Sequence, residues 1–110
     1  MSPITTHVLD TATGRPAQGC PLTLYAVDGE TLTALASGTT NADGRVTDLL
    51  APGSLQPGHY RMTFDTAAYF GDAPSFYPVV HIHFTITATD EHYHVPLLLS
   101  PYGYSTYRGS

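Results

Sequence analysis

Six histidines occur in 110 residues, and four of them form two His-x-His pairs, His81 with His83 and His92 with His94. Strand side chains two apart share a face, so each pair would present two imidazoles in one direction. Such a pair can ligate zinc, which takes nitrogen and sulfur donors tetrahedrally. It can equally be a solvated or hydrogen-bonded polar face. No Cys-x-x-Cys or His-Glu-x-x-His accompanies the pairs, so the polar-face reading leads and no metal site is expected. Cys20 precedes Pro21 without a thiolate-stabilising signature and reads as a small buried hydrophobe rather than a nucleophile. No Gly-x-Ser-x-Gly elbow marks a serine nucleophile. Arg45 follows Asp43-Gly44, so it leaves a tight turn and opens a strand. From there its fork of donors can grip a planar, anionic or amide-rich ligand, the plainer alternative being a solvated surface arginine. The ending Tyr102-Gly103-Tyr104-Ser105-Thr106-Tyr107-Arg108-Gly109-Ser110 holds three tyrosines in strand-like alternation. Chain ends are usually polar and frayed, so this one is expected to be packed or paired.

The elements that must position these residues are strands. Threonine, tyrosine and valine are plentiful, and nine prolines and ten glycines break the chain into short alternating runs. Eight strands are predicted, over residues 4–9, 21–27, 31–39, 45–49, 59–65, 79–87, 92–99 and 105–108. Thr13-Gly14-Arg15-Pro16, Asp28-Gly29, Asn41-Ala42-Asp43-Gly44 and Gln56-Pro57-Gly58 carry turn chemistry between them. Residues 66–70 read as one short helix, with Asp65 or Thr66 as N-cap and Gly71 closing it. Eight short strands make two packed sheets, an all-β sandwich.

Composition sets the outer limits. The length suits a single domain over residues 1–110 with one core. Charged residues make up only 12%, which excludes disorder driven by charge. Four arginines and no lysine stand against nine acids, for a net charge of −5, which makes nucleic acid and anionic membranes poor partners. The single cysteine allows no intrachain disulfide. The first residues lack a basic segment followed by an apolar run, and no stretch approaches membrane-spanning length. A cytoplasmic protein is the default expectation.

The opening ITTHVLDTATGRPA, the middle NADGRV and the ending HYHVPLLLSPYGYSTYRGS resemble the transthyretin-related 5-hydroxyisourate hydrolase family, along the whole chain. The terminal Tyr107-Arg108-Gly109-Ser110 is the most specific part of the resemblance, because it separates these enzymes from transthyretin, the hormone carrier of the same fold. The resemblance implies a transthyretin-like sandwich of two four-stranded sheets with one short helix, a homotetramer built as a dimer of dimers, and active sites in a channel between dimers. It implies hydrolysis of 5-hydroxyisourate to 2-oxo-4-hydroxy-4-carboxy-5-ureidoimidazoline in urate degradation, part of purine metabolism, with no cofactor. By the same resemblance the catalytic residues are His7, Arg45, His94 and Ser110, and the substrate contacts are His7, Arg45 and Tyr107. Either His7 or His94 is the base that activates water, the other orienting or donating a proton. Arg45 stabilises the oxyanion, and Ser110 holds the base's tautomer through its hydroxyl or terminal carboxylate. His92 becomes a supporting residue, while His81 and His83 receive no role. The competing readings are a non-catalytic small-molecule carrier on the same fold and a purely structural or adhesive sandwich module.

Overall fold

The computed structural model describes residues 2–110. Strand β1 (Ile4–Asp10) alternates in burial along its whole length, with Ile4, Thr6, Val8 and Asp10 inward and Thr5, His7 and Leu9 half-buried on the other face. The two inward polar residues are satisfied. Thr6 Oγ1 donates to the Val95 carbonyl at 2.6 Å, and Asp10 accepts from the amides of Ala12 and Thr13 and from the Tyr69 hydroxyl at 2.6 Å. That last bond ties the helix to the end of β1; burial, and then this bond to Asp10, push the Tyr69 hydroxyl up to about 12.

The remaining elements are β2 (Arg15–Pro16), β3 (Pro21–Asp28), β4 (Thr31–Thr39), β5 (Gly58–Phe64), α1 (Thr66–Phe70), β6 (Val80–Ile86), β7 (Tyr93–Ser100) and β8 (Gly103–Thr106). They form two four-stranded sheets, ordered β2-β1-β7-β8 and β4-β3-β5-β6. Every pairing is antiparallel except that of β1 with β7. A parallel pair needs a long crossover, and here the chain travels through the second sheet before returning as β7. The inward side chains of both sheets, among them Ile4, Val8, Leu24, Met62, Phe64 and Leu97, make one buried apolar cluster. Cys20 is fully buried in it, and burial pushes its thiol up to about 12.

The predicted two-sheet sandwich is the observed one, and α1 has the expected ends: the Asp65 side chain accepts from the Ala68 amide, and Gly71 closes the helix at φ 60°. Three local readings are corrected. The strand predicted over residues 45–49 is a single bridge at Arg45, because the chain bends away and Asp48 sits at φ 58°. The turn read at Arg15-Pro16 holds a two-residue edge strand, where a proline's missing N–H costs no ladder bond. The last strand lies two residues earlier than expected, so that Tyr107 falls beyond its end, and Tyr104 and Tyr107 are 44% and 58% exposed.

Candidate active site

The outer face of the first sheet assembles the predicted residues. Along the parallel β1–β7 pair Thr5 sits opposite His94 and His7 opposite Pro96. Because Ile4, Thr6 and Val8 point into the core, Thr5 and His7 project outward, as does His94 between buried Tyr93 and Val95. Two segments lying 89 positions apart thus meet side by side, and Thr5 Oγ1 lies 2.8 Å from His94 Nδ1.

Arg45 is delivered by the turn before it. Asn41 Oδ1 accepts from the amides of Asp43 (2.9 Å) and Arg45 (3.1 Å), and the Asn41 amide donates to the Arg45 carbonyl at 2.8 Å. The turn is fastened to β1 by the Val8 amide donating to the Gly44 carbonyl at 2.8 Å, which pairs His7 with Arg45. Position 44 requires glycine twice over: its φ is +75°, and a Cβ there would lie 2.5 Å from the Val8 carbonyl oxygen and 3.3 Å from His7 Cδ2.

The tail arrives from the other side. After β8 the Gly109 amide donates to the His94 carbonyl at 2.9 Å. The backbone passes so close to the imidazole that a Cβ at Gly109 would lie 2.5 Å from His94 Cδ2. Arg108 anchors this approach, bonding Glu91 at 3.0 Å and covering the Tyr93 ring at 4.5 Å. The Arg108 and Gly109 of the ending therefore have positional tasks that put Ser110 in place.

Thr5, Arg45, Asp48, His92, His94 and Ser110 line a cavity of about 520 Å³. His7 does not line this cavity and is joined to it by its backbone bridge to Arg45. Tyr107 lies elsewhere, in an adjoining cavity of about 290 Å³ that also contains Arg108 and shares His94 with the first. His94 is thus the residue common to both. Partial burial pushes its imidazole below the ordinary histidine range, the Arg45 guanidinium and the His92 and His7 rings push the same way, and a hydrogen bond with the Thr5 backbone opposes them. A neutral imidazole beside a guanidinium is the result, which suits acceptance of a proton near neutral pH.

Of the other His-x-His pair, on β6, His81 bonds Thr63 Oγ1 at 2.9 Å away from both cavities, whereas His83, in register with Arg61, lines the adjoining cavity together with Tyr107 and His94. Among the described residues no three His, Cys, Asp or Glu side chains converge as metal ligands. Thr5 and Asp48 line the cavity without having been singled out from the sequence, and Thr5 is the one bonded to His94. Its outward position two before His7 was a usable signal; its partners on β7 were not.

A family model described as "HIUase/Transthyretin family" matches residues 4–109. The chain belongs to the HIUase/Transthyretin family. Within it, a 5-hydroxyisourate hydrolase of Mus musculus is 50% identical over 113 residues, spanning 99% of this chain and 96% of its own length. A solved structure of the Klebsiella pneumoniae 5-hydroxyisourate hydrolase is 39% identical, covers 97% of this chain and 92% of that one, and superposes with a TM-score of 0.82. Sea bream transthyretin in complex with thyroxine gives a TM-score of 0.90 over 98% and 95% of the two chains, at 30% identity. Backbone likeness therefore places the sandwich in the family without separating its hydrolases from its carriers, whereas sequence identity leans to the hydrolases.

Proposed function

We propose that the chain is a 5-hydroxyisourate hydrolase, opening the substrate ring to 2-oxo-4-hydroxy-4-carboxy-5-ureidoimidazoline. The observation that carries this reading is the meeting of His94, Arg45 and Ser110, brought from three distant segments to one cavity. Hydrolysis of a cyclic amide needs a base for water and a donor for the oxygen that becomes negative. His94 takes a proton from water while the water oxygen bonds to the ring carbonyl carbon. Arg45 stabilises the resulting oxyanion. The carbon–nitrogen bond then breaks, and the leaving nitrogen takes a proton delivered by His94 or by His7. Ser110 steadies the base and substrate from the tail, and Tyr107 contacts substrate from the adjoining cavity.

The active unit in this reading is a homotetramer, a dimer of dimers whose faces close over the cavity. Three features support it. The site lies on the outside of a sheet; β6 and β8 are edge strands; and Phe76, Tyr77 and Tyr104 form an exposed aromatic cluster beside β8, with the Tyr77 and Tyr104 rings 5.3 Å apart.

The test is to generate 5-hydroxyisourate from urate with urate oxidase and follow its ultraviolet decay with and without the protein, a chelator being present in a parallel run. Accelerated decay that survives the chelator is the expected result. Decay at the spontaneous rate, with substrate analogues still bound, would replace the hydrolase with a carrier. Sedimentation of the same sample checks the tetramer.

A further inference from the structure

Thr5 stands between two imidazoles, with Oγ1 2.8 Å from His94 Nδ1 and 2.9 Å from His92 Nε2. The two rings are tilted by only 20°, with centroids 6.4 Å apart, so the hydroxyl fills the gap between their facing nitrogens. A hydroxyl carries one proton and a neutral imidazole one N–H. With no third partner for Oγ1 among the described residues, that proton lies in one contact or the other. If Thr5 donates to His94 Nδ1, it accepts from His92 Nε2–H, and His94 carries its proton on Nε2. If instead His94 Nδ1–H donates to Thr5, the hydroxyl proton goes to His92 Nε2, and His94 Nε2 keeps a bare lone pair.

We propose that Thr5 and His92 are positioning residues that hold His94 as the Nδ1–H tautomer, with Nε2 free to take a proton in the cavity; the catalytic consequence rests on the hydrolase reading above. Two features favour this arrangement. His94 Nε2 bonds no described residue, whereas Nδ1 is occupied by Thr5. When Nε2 gains a proton, the Nδ1–H bond to Thr5 is kept and becomes charge-assisted, so proton transfer requires no rearrangement. In the opposite tautomer the only basic nitrogen faces Thr5 and cannot reach water. Threonine suits the task because its branched side chain is restricted at χ1 and the β1–β7 register fixes its backbone opposite His94.

The test uses the full chain with ¹⁵N-labelled histidine and the variants Thr5→Val, Thr5→Ser and His92→Phe. Long-range ¹H–¹⁵N spectra of the wild-type protein at neutral pH should show His94 protonated on Nδ1. In Thr5→Val that preference should be lost, with kcat falling by about 10- to 10²-fold, as when a metal-bound histidine loses its orienting partner, and KM nearly unchanged. Thr5→Ser should recover both signals. His92→Phe should resemble Thr5→Val, and the double variant should be no worse than either, because the three groups act as one chain. Wild-type His94 protonated on Nε2, or a Thr5→Val protein with unaltered tautomer and kcat, would overturn the proposal. A wild-type protein without hydrolase activity would end the functional reading instead, and the spectra would still decide the tautomer.

Discussion

Gly109→Ala separates position from stability at this site. The added Cβ would lie 2.5 Å from His94 Cδ2 and 3.1 Å from Cγ. Carbon atoms at rest are about 3.5–4.0 Å apart, so the imidazole or the tail must yield by about 1 Å. A ring displaced that far loses its 2.8 Å contact with Thr5 and its aim into the cavity. Misplacement of about 1 Å costs on the order of 10²-fold in rate, or about 2.7 kcal/mol of barrier. The fold has less to lose. The bond at risk is the Gly109 amide to the His94 carbonyl, worth about 0.5–1.5 kcal/mol, which corresponds to a Tm decrease of roughly 4–8 °C per kcal/mol. Gly103→Ala is the matched control, because a Cβ there meets only Ser100 Oγ, at an ordinary 3.7 Å. The assay pairs ultraviolet decay of 5-hydroxyisourate with thermal melts of both variants. We expect kcat to fall about 10²-fold in Gly109→Ala with a modest Tm shift, and neither to change appreciably in Gly103→Ala. A folded Gly109→Ala protein with near wild-type kcat would refute the claim that the His94 ring position governs the rate.

Arg45→Ala should lower kcat by about 10²- to 10³-fold, the loss typical of an oxyanion donor, with an unchanged melting curve because the side chain is exposed. The acid limb of kcat/KM should lie below the usual histidine range. His94 is held below its ordinary value by burial and then by Arg45, so its neutral, active form persists to lower pH and is lost only as pH falls through that depressed value; a limb at or above the ordinary value would remove His94 as the base. Cys20, fully buried with its thiol pushed up to about 12, should resist iodoacetamide at pH 8 in the native protein and react once the chain is unfolded in urea.

Much of the architecture was legible before the structure because strand alternation and turn chemistry are local. The inward set of β1 follows from Ile4, Thr6 and Val8 in period two, and the short helix from Asp65 and Gly71 at its ends. Local signals failed where tertiary contacts overrode them. Arg108 leaves the ladder to reach Glu91 and Tyr93, which ends β8 at Thr106, and the bend carrying Asp48 turns a predicted strand into one bridge at Arg45. Of the tail's tyrosines only Tyr104 lies within β8, where it packs edge-on against Tyr77, while Tyr102 and Tyr107 stay exposed.

For the site the division runs along the same physical line. Residue types and turn geometry are written in contiguous sequence, so His94, the Asn41-to-Arg45 turn and the family resemblance of the ending were readable there. Adjacency is not. The parallel pairing of β1 with β7 sets Thr5 against His94, the Gly44 carbonyl fastens Arg45 beside His7, and the Gly109 backbone lies against the His94 ring. The same packing sends Tyr107 into the neighbouring cavity and puts Thr5 between two imidazoles. Sequence alone determined which chemical groups were available; the tertiary structure decided which of them touch, because contacts between segments nearly ninety residues apart depend on the crossover and register that only the folded core enforces.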